Sequence, residues 1–174
     1  MPVNPTVSSL NRRKAAPKAP PGPVTIKVEN RVGVQAPAEV IWNLVADIPG
    51  WRDWNPLHTA AEGEVRIGAR LLTTEVLPGK PERPTSLFVI EWVPLEQLHL
   101  RNESMRGWVK SIRYIEIEEL GPASCIVSTG ELFADGMLTR LHLRSHRRAL
   151  RHGFTAHGEA LKAHAETRWA AQQG

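Results

Sequence analysis

Two charged residues, Arg113 and Glu131, stand where the sequence can bring them together. They lie in strand-like runs, Trp108–Leu120 and Ser124–Ala134, which are joined by a turn at Gly121-Pro122. If the turn centres on Pro122, the numbers of opposite residues sum to about 244, so Arg113 faces Glu131. Side chains alternate along a strand, so the same face also holds Ser111, Ile115, Ile117, Val127, Thr129 and Phe133. This face is the more apolar one, and we expect it to line the interior.

A charged pair in a low-dielectric interior must satisfy itself or bind something. Two interpretations are therefore open for Arg113 and Glu131. The pair is either a salt bridge that fixes the sheet, or a polar anchor in which Arg113 donates to a ligand's carboxylate or hydroxyl. A register shift of one residue would turn both side chains outward.

A long helix, predicted from about Met137 to about Gln172, carries the next candidates. An apolar stripe along it holds Leu143, Leu150, Phe154, Leu161 and Ala165, with His157 at the edge. His157 is either a satisfied polar residue or a general acid or base that needs a substrate within reach. Glu131, Arg113 and His157 are thus the candidate catalytic residues.

Five arginines form a separate stripe on this helix, and no acidic residue occurs between Asp135 and Glu159. This Arg stripe consists of Arg140, Arg144, Arg147, Arg148 and Arg151. It is either a solvated face or a contact surface for an acidic protein or an anionic membrane. His142 and His146 have the i,i+4 spacing of metal ligands, but the zincin glutamate and a third ligand are missing. We expect no metal.

The remaining patterns exclude several classes. The sequence has no P-loop, no GxGxxG, no GxSxG and no nucleic-acid-binding motif, so we expect no cofactor and no specific nucleic acid partner. Residues 1–23 form a basic, Pro/Ala-rich tail that we expect to be disordered, with at most weak attraction to anionic membranes or acidic proteins. Four of the 22 Lys and Arg residues lie in this tail, so the rest of the chain is balanced at 18 against 18 acids. Cys125 is alone and no export signal is visible, which favours the cytoplasm.

The elements that position these residues follow from periodicity and turn residues. A first strand near 24–35 precedes a helix with buried-type positions from Val40 to Ile48, which ends at Pro49-Gly50; WRDWNP then forms one further helical turn. Four strand-like runs come next, near Thr59–Val65, Arg70–Leu77, Ser86–Val93 and Gln97–Asn102. With the two long strands, this order predicts an α+β domain over 24–174: seven antiparallel strands with one face covered by the C-terminal helix.

The ordered set of segments resembles the START-like or SRPBCC superfamily, in particular its polyketide cyclase/dehydrase and lipid-transport branch. The segments that carry the resemblance are VQAPAEVIWNLVADIPGWRDWNP (Val34 to Pro56), VRIGARL (Val65 to Leu71), RYIEIEEL (Arg113 to Leu120), ELF (Glu131 to Phe133) and RHGFTAHGEALKAHAE (Arg151 to Glu166). The resemblance implies the helix-grip fold, in which a curved sheet wraps the C-terminal helix around an apolar cavity.

It further implies a hydrophobic small molecule as partner: a lipid, a polyketide or an aromatic metabolite. The protein would carry this molecule, or act on it as a cyclase, aromatase or dehydratase; an interaction module for proteins or membranes is the third alternative. Trp51 and Trp54 would either close the mouth of the cavity and offer indole N–H groups as anchors, or simply cap the core. The expected ligand-binding residues are Trp51, Trp54, Arg113, Ile115, Ile117, Val127, Thr129, Glu131, Phe133, Leu150, Phe154, His157 and Leu161.

Overall fold

The computed structural model describes residues 25–174, so the predicted tail 1–23 lies outside the described residues. The elements are β1 (Thr25–Val34), α1 (Ala38–Ala46), α2 (Trp51–Trp54), β2 (His58–Glu62), β3 (Arg70–Glu75), β4 (Arg83–Val93), β5 (Gln97–Ser104), β6 (Val109–Gly121), β7 (Ser124–Ala134) and α3 (Met137–Gln173). A 3-10 turn, Met105–Gly107, joins β5 to β6. The predicted order and type of elements are confirmed; β4 starts earlier than predicted, because Arg83 already pairs with Glu75 of β3.

All seven strands form one antiparallel sheet in the order β1-β7-β6-β5-β4-β3-β2. The hairpin of β6 and β7 has the predicted register, with Arg113 opposite Glu131 and Ile117 opposite Val127. The tight turn at Gly121-Pro122 sets this register, because it leaves the two strands only one way to align.

The sheet is strongly curved. Arg113 lies on β6 and His58 on β2, four strands away, which corresponds to roughly 19 Å in a flat sheet. Their side chains nevertheless meet at 2.9 Å between Nη1 and Nε2. The sheet therefore curls and carries β2 and β3 back over β6, while α3 lies in the concavity against β1 and β7. This is the predicted helix-grip architecture.

Two glycines let α3 approach its neighbours closely. A Cβ atom on Gly158 would stand 2.4 Å from the amide nitrogen of Asn30 on β1. One on Gly153 would stand 3.1 Å from the side chains of Leu57 and Leu77. The helix propensity lost at these positions is thus offset by closer packing.

The interior contains two apolar clusters. The larger one, which we call the apolar core, lies under α1 and the C-terminal half of α3 and includes Ile41, Leu44, Leu98, Ile117, Val127 and Leu161. The smaller one lies under the first half of α3 and includes Val28, Phe133, Leu150 and Phe154. Within residues 25–174, no helix combines the length and the apolar character needed to cross a membrane.

Candidate functional site

A buried network of polar side chains surrounds Arg113. The guanidinium donates to Glu131 through Nε at 3.3 Å and Nη2 at 2.7 Å, to Glu75 at 2.7 Å, and to Nε2 of His58 at 2.9 Å. The other oxygen of Glu131 accepts hydrogen bonds from Ser111 and Asn102. We call this set (His58, Glu75, Asn102, Ser111, Arg113 and Glu131) the polar cluster; all six residues are buried.

The charges of the polar cluster hold one another in place. Burial would raise the pKa of Glu75, but the guanidinium groups of Arg113 and Arg83 lower this pKa to about 2. Burial would lower the pKa of Arg113, yet the carboxylates of Glu131 and Glu75 raise it above its ordinary value. Glu75 and Arg113 are therefore charged at neutral pH.

Both histidines of this region are neutral. Burial, followed by the charge of Arg113, brings the pKa of His157 down to about 3. The same two causes lower the pKa of His58 well below its ordinary value. Each ring therefore offers one N–H donor and one nitrogen acceptor at neutral pH.

Aromatic rings from α2 close the interior above the polar cluster. The Trp54 indole stacks on the His157 ring with centroids 5.3 Å apart, and Trp51 packs on His58 at 5.6 Å. The indole N–H of Trp51 donates to the carbonyl of Val45 at 3.0 Å. The expectation that this N–H would anchor a ligand is therefore wrong, because the fold itself uses it.

The space between sheet and helix is much smaller than the resemblance implied. It measures about 10 Å³, which is room for about one water molecule. Its walls come from α2 and the residues after it, from β5 and β6, and from α3: Trp51, Asn55, Leu57, His58, Leu100, Arg113, Tyr114, Ile115, Phe154 and His157. The rings of Trp51, His58 and His157 stand in its wall, and Trp54 stacks on His157.

Unpaired polar atoms gather around this small space. Among the described residues, the buried side-chain atoms without a hydrogen-bond partner include Nδ2 of Asn55, Nδ1 of His58 and both ring nitrogens of His157. All three residues line the space. A buried polar atom without a partner costs about 1–3 kcal/mol, so the grouping of these atoms makes this space the candidate site.

The predicted site residues divide into two groups. Five of them line the space, namely Trp51, Arg113, Ile115, Phe154 and His157. The others lie around it: Trp54 stacks on His157, Glu131 holds Arg113, and Thr129 donates to the carbonyl of Phe154. The remaining predicted residues are packed into the two apolar clusters: Ile117, Val127, Leu161, Phe133 and Leu150. A role in ligand binding stays a prediction for all of these residues.

The sequence did not point to Asn55, His58, Glu75 or Asn102. His58 and Glu75 reach Arg113 only because the curled sheet brings β2 and β3 over β6, whereas Asn102 lies on the neighbouring strand β5, opposite Ser111, and Asn55 follows α2. One signal was available for Asn55: an Asn followed by Pro, after a helical turn, is typical of a residue that hydrogen-bonds the backbone two and three positions ahead. Asn55 does so, to Leu57 and His58.

A second feature lies on the outside of α3. The Arg stripe and His152 line a shallow groove of about 730 Å³ together with Ile26 and Leu143. His142 and His146 stack on each other with centroids 4.2 Å apart. No group of three or more His, Cys, Asp or Glu side chains within residues 25–174 is arranged to hold a metal ion.

Comparison with known proteins places this architecture among solved structures. The fold is similar to the Zhui aromatase/cyclase from Streptomyces sp. R1128, with a TM-score of 0.68 and 18% identity over 87% of this chain and 99% of that one. It is also similar to a norcoclaurine synthase point mutant from Thalictrum flavum in complex with a transition-state analogue, with a TM-score of 0.63 and 16% identity over 84% and 98%.

A third similar structure is the di-domain ARO/CYC StfQ of the steffimycin biosynthetic pathway, with a TM-score of 0.64 and 10% identity over 86% of this chain and 52% of that one. Neither a protein-family model nor a curated protein matches the sequence. The solved structures thus confirm the fold that the resemblance implied.

Proposed function

We propose that the protein binds a hydrophobic small molecule, of lipid, polyketide or aromatic type, between the curved sheet and α3. The observation that carries the proposal is the set of unpaired polar atoms on Asn55, His58 and His157 around one enclosed space. Ligand sites in proteins combine apolar and aromatic walls with a few such polar groups. Trp51, Ile115 and Phe154 supply the apolar walls here.

The ligand enters as α2 moves outward. A ligand pocket usually measures about 300–1,000 Å³, so the present space must grow by displacement of side chains. The segment best suited to move is α2, because it has only four residues and no side-chain cap at its start. Its two tryptophans fill the space while no ligand is bound and pack against the ligand when it is.

Neutral naphthalene compounds test this function. We expect 2-acetylnaphthalene to bind and to change the hydrogen exchange of backbone amides in residues 51–58 and 154–161. Native mass spectrometry of the protein purified from its own host should show a noncovalent small molecule that is lost on denaturation. Trp108→Ala serves as the control for surface adsorption, since that side chain is 74% exposed. Absence of a retained molecule, together with exchange changes confined to the surface, would reject the proposal.

Catalysis on the bound molecule is the second candidate, and the convergence of His58 and His157 on one space favours it. The protonation state of His157 favours binding without catalysis. A pKa of about 3 makes His157 a weak base, and general bases work best with a pKa near the operating pH. We therefore expect no accelerated exchange of the methyl protons of 2-acetylnaphthalene in D₂O. Acceleration that disappears in His157→Phe would establish acid–base chemistry and overturn this expectation.

Binding to an anionic membrane is a separate candidate function, and the observations that favour it lie at one end of the molecule. Ser111 pairs with Phe133, so extension of that register brings Trp108 to the end of the sheet where α3 begins. Two exposed apolar side chains belong to this end, Met137 at 82% and Trp108 at 74%, and Met137 lines a surface groove together with Arg140 and Arg144 of the Arg stripe. Apolar groups beside arginines are typical of surfaces that bind anionic lipid.

Co-sedimentation with vesicles tests this contact. We expect binding to phosphatidylserine-containing vesicles and not to pure phosphatidylcholine vesicles. The charge reversal Arg144→Glu/Arg148→Glu should abolish the binding, whereas Arg70→Glu on β3, away from the stripe, should leave it in place. Unchanged binding of the charge-reversed protein would exclude the Arg stripe as the contact surface.

A further inference from the structure

Two of the unpaired atoms of the site, on Asn55 and His58, are donors, and this follows first for Asn55. Its side-chain oxygen accepts the backbone N–H groups of Leu57 at 3.0 Å and His58 at 3.1 Å. Only the oxygen of an amide can accept, so the orientation of the side chain is fixed. The Nδ2 group is buried, has no partner, and belongs to a residue that lines the enclosed space. Asn55 therefore has unused N–H donors and lies in the wall of that space.

His58 presents a second donor, by a similar argument. Its Nε2 lies 2.9 Å from Nη1 of Arg113, and a guanidinium can only donate. Nε2 therefore accepts and carries no proton. Since the neutral imidazole holds its single proton on the other nitrogen, Nδ1 is an N–H donor, and it too is buried without a partner.

The charges around the space are already balanced. Arg113 and Arg83 face the carboxylates of Glu75 and Glu131, and both histidines are neutral. Arg113 uses Nε, Nη1 and Nη2 on these partners. A ligand carboxylate would find no free counter-charge, and burial of an unpaired charge is strongly unfavourable. The interpretation of Arg113 as an anchor for a carboxylate is thereby disfavoured.

His157 adds a group without a fixed preference. Both of its ring nitrogens are buried and unpaired, so its tautomer can adapt to a donor or to an acceptor. Selectivity is therefore carried by Asn55 and His58, and His157 accommodates a further polar group such as a hydroxyl.

We infer that the interior site takes an uncharged molecule through an acceptor oxygen, a carbonyl in the first place, which receives the N–H groups of Asn55 Nδ2 and His58 Nδ1. This inference rests on the proposed function and narrows its ligand to neutral aromatic ketones, quinones and related carbonyl compounds. A single water molecule, for which the space of about 10 Å³ has room, offers the same acceptor chemistry and is the alternative occupant to be tested.

Three compounds of similar shape separate the possibilities: 2-acetylnaphthalene, 2-isopropenylnaphthalene and 2-naphthoate. They differ in offering a carbonyl oxygen, no acceptor, and a carboxylate. Two hydrogen bonds of ordinary net strength predict that the ketone binds roughly ten- to hundredfold more tightly than the alkene. We expect the carboxylate to bind less tightly than the ketone, and isothermal titration calorimetry gives the three dissociation constants.

Asn55→Asp is the decisive variant, because the new side chain keeps the acceptor for the two backbone N–H groups and removes the donor. We expect the preference for ketone over alkene to fall at least severalfold. Asn30→Asp is the matched control: its Nδ2 is also buried and unpaired, but it lies against Gly158, away from the enclosed space. The control should keep the full preference, and thermal unfolding of both variants shows whether each is folded.

The outcomes are distinguishable. If ketone and alkene bind equally well, or if Asn55→Asp keeps the preference, the inference is wrong while the proposed function stands. If neither compound binds, the inference is wrong, and the proposed function fails as well if native mass spectrometry also shows no retained molecule. A crystal structure with the ketone present that shows a single resident water only, bonded to Asn55 and His58, would also overturn the inference.

Discussion

Under α1 the interior consists of Ile, Leu, Val and Trp side chains, whereas around Arg113, further along the same strands, it holds two carboxylates, a guanidinium and two imidazoles. In the apolar core, burial alone stabilises the fold, at about 25 cal/mol per Å² of apolar surface. In the polar cluster, burial is costly and is offset by ion pairs and hydrogen bonds. Only the second region leaves buried atoms unpaired next to an enclosed space. The contrast shows where the chain carries a cost in stability that folding alone does not require.

The largest expected effect is the loss of the buried cation. Arg113→Met leaves Glu131 without a cationic partner and Glu75 with Arg83 alone, and removal of one member of a buried ion pair costs about 3–5 kcal/mol. The triple variant Arg113→Met/Glu75→Gln/Glu131→Gln should recover most of that loss, because no buried carboxylate is left without its cation, and the side chain of Arg83, which loses Glu75, is 40% exposed. Urea denaturation gives the free energies of unfolding.

Arg31→Met is the matched control, since its 3.1 Å ion pair with Glu118 lies on the exposed face. Exposed pairs contribute only about 0–1 kcal/mol. A single Arg113→Met variant no less stable than this control would refute the assignment of the polar cluster as a buried charge network.

Truncation of a side chain in the apolar core should cause a comparable loss of stability without any effect on ligand recognition. Leu161→Ala removes a fully buried side chain from α3, and such truncations cost about 2–5 kcal/mol. The ratio of the dissociation constants for 2-acetylnaphthalene and 2-isopropenylnaphthalene should stay unchanged. A shift in this ratio would mean that the two regions are coupled and that their separation is less complete than the structure indicates.

These two regions also differ in how far sequence predicts them. The apolar stripe of α3 follows a simple period, and the face of β6 and β7 follows from one tight turn; both were predicted to the residue, including Arg113 opposite Glu131. The partners His58 and Glu75 were not predictable in the same way. His58 lies four strands from Arg113 and Glu75 lies three, so both reach it only because the sheet curls. This curvature depends on irregularities such as the register shift between His58 and Ala60. The size of the cavity could not be predicted from the sequence either, because it depends on the side-chain positions of Trp51 and Trp54.

A smaller effect, which depends on pH, is expected from His157. Its pKa is about 3 in the folded protein against an ordinary 6.5, so between these values the unfolded chain binds more protons than the folded one. Stability is therefore complete above about pH 6.5 and falls as the pH drops towards 3, by a few kcal/mol in all since one pKa unit corresponds to about 1.4 kcal/mol.

His157→Phe keeps a ring for Trp54 to stack on and removes this titration. We expect a flatter dependence of unfolding free energy on pH between 6.5 and 3 than in the parent protein. The part that remains comes from His58 and His142, whose pKa values are also lowered, and, below about pH 4.5, from carboxylates with lowered pKa values, above all Glu75 with a pKa of about 2. An unchanged profile would show that His157 is not buried as a neutral ring.

The smallest expected effect compares the two faces of one strand. On β6, Ser111 donates to the buried Glu131, and Tyr114 donates on the other face to Glu29 at 2.6 Å. Water can replace the lost partner of Glu29, whose side chain is 21% exposed, but not that of Glu131. Tyr114→Phe should therefore cost about 0.5–1.5 kcal/mol, and Ser111→Ala about 1–3 kcal/mol. If urea denaturation gave the reverse order, solvent would reach the polar cluster, and the region around Arg113 would resemble the protein surface more than the apolar core beside it.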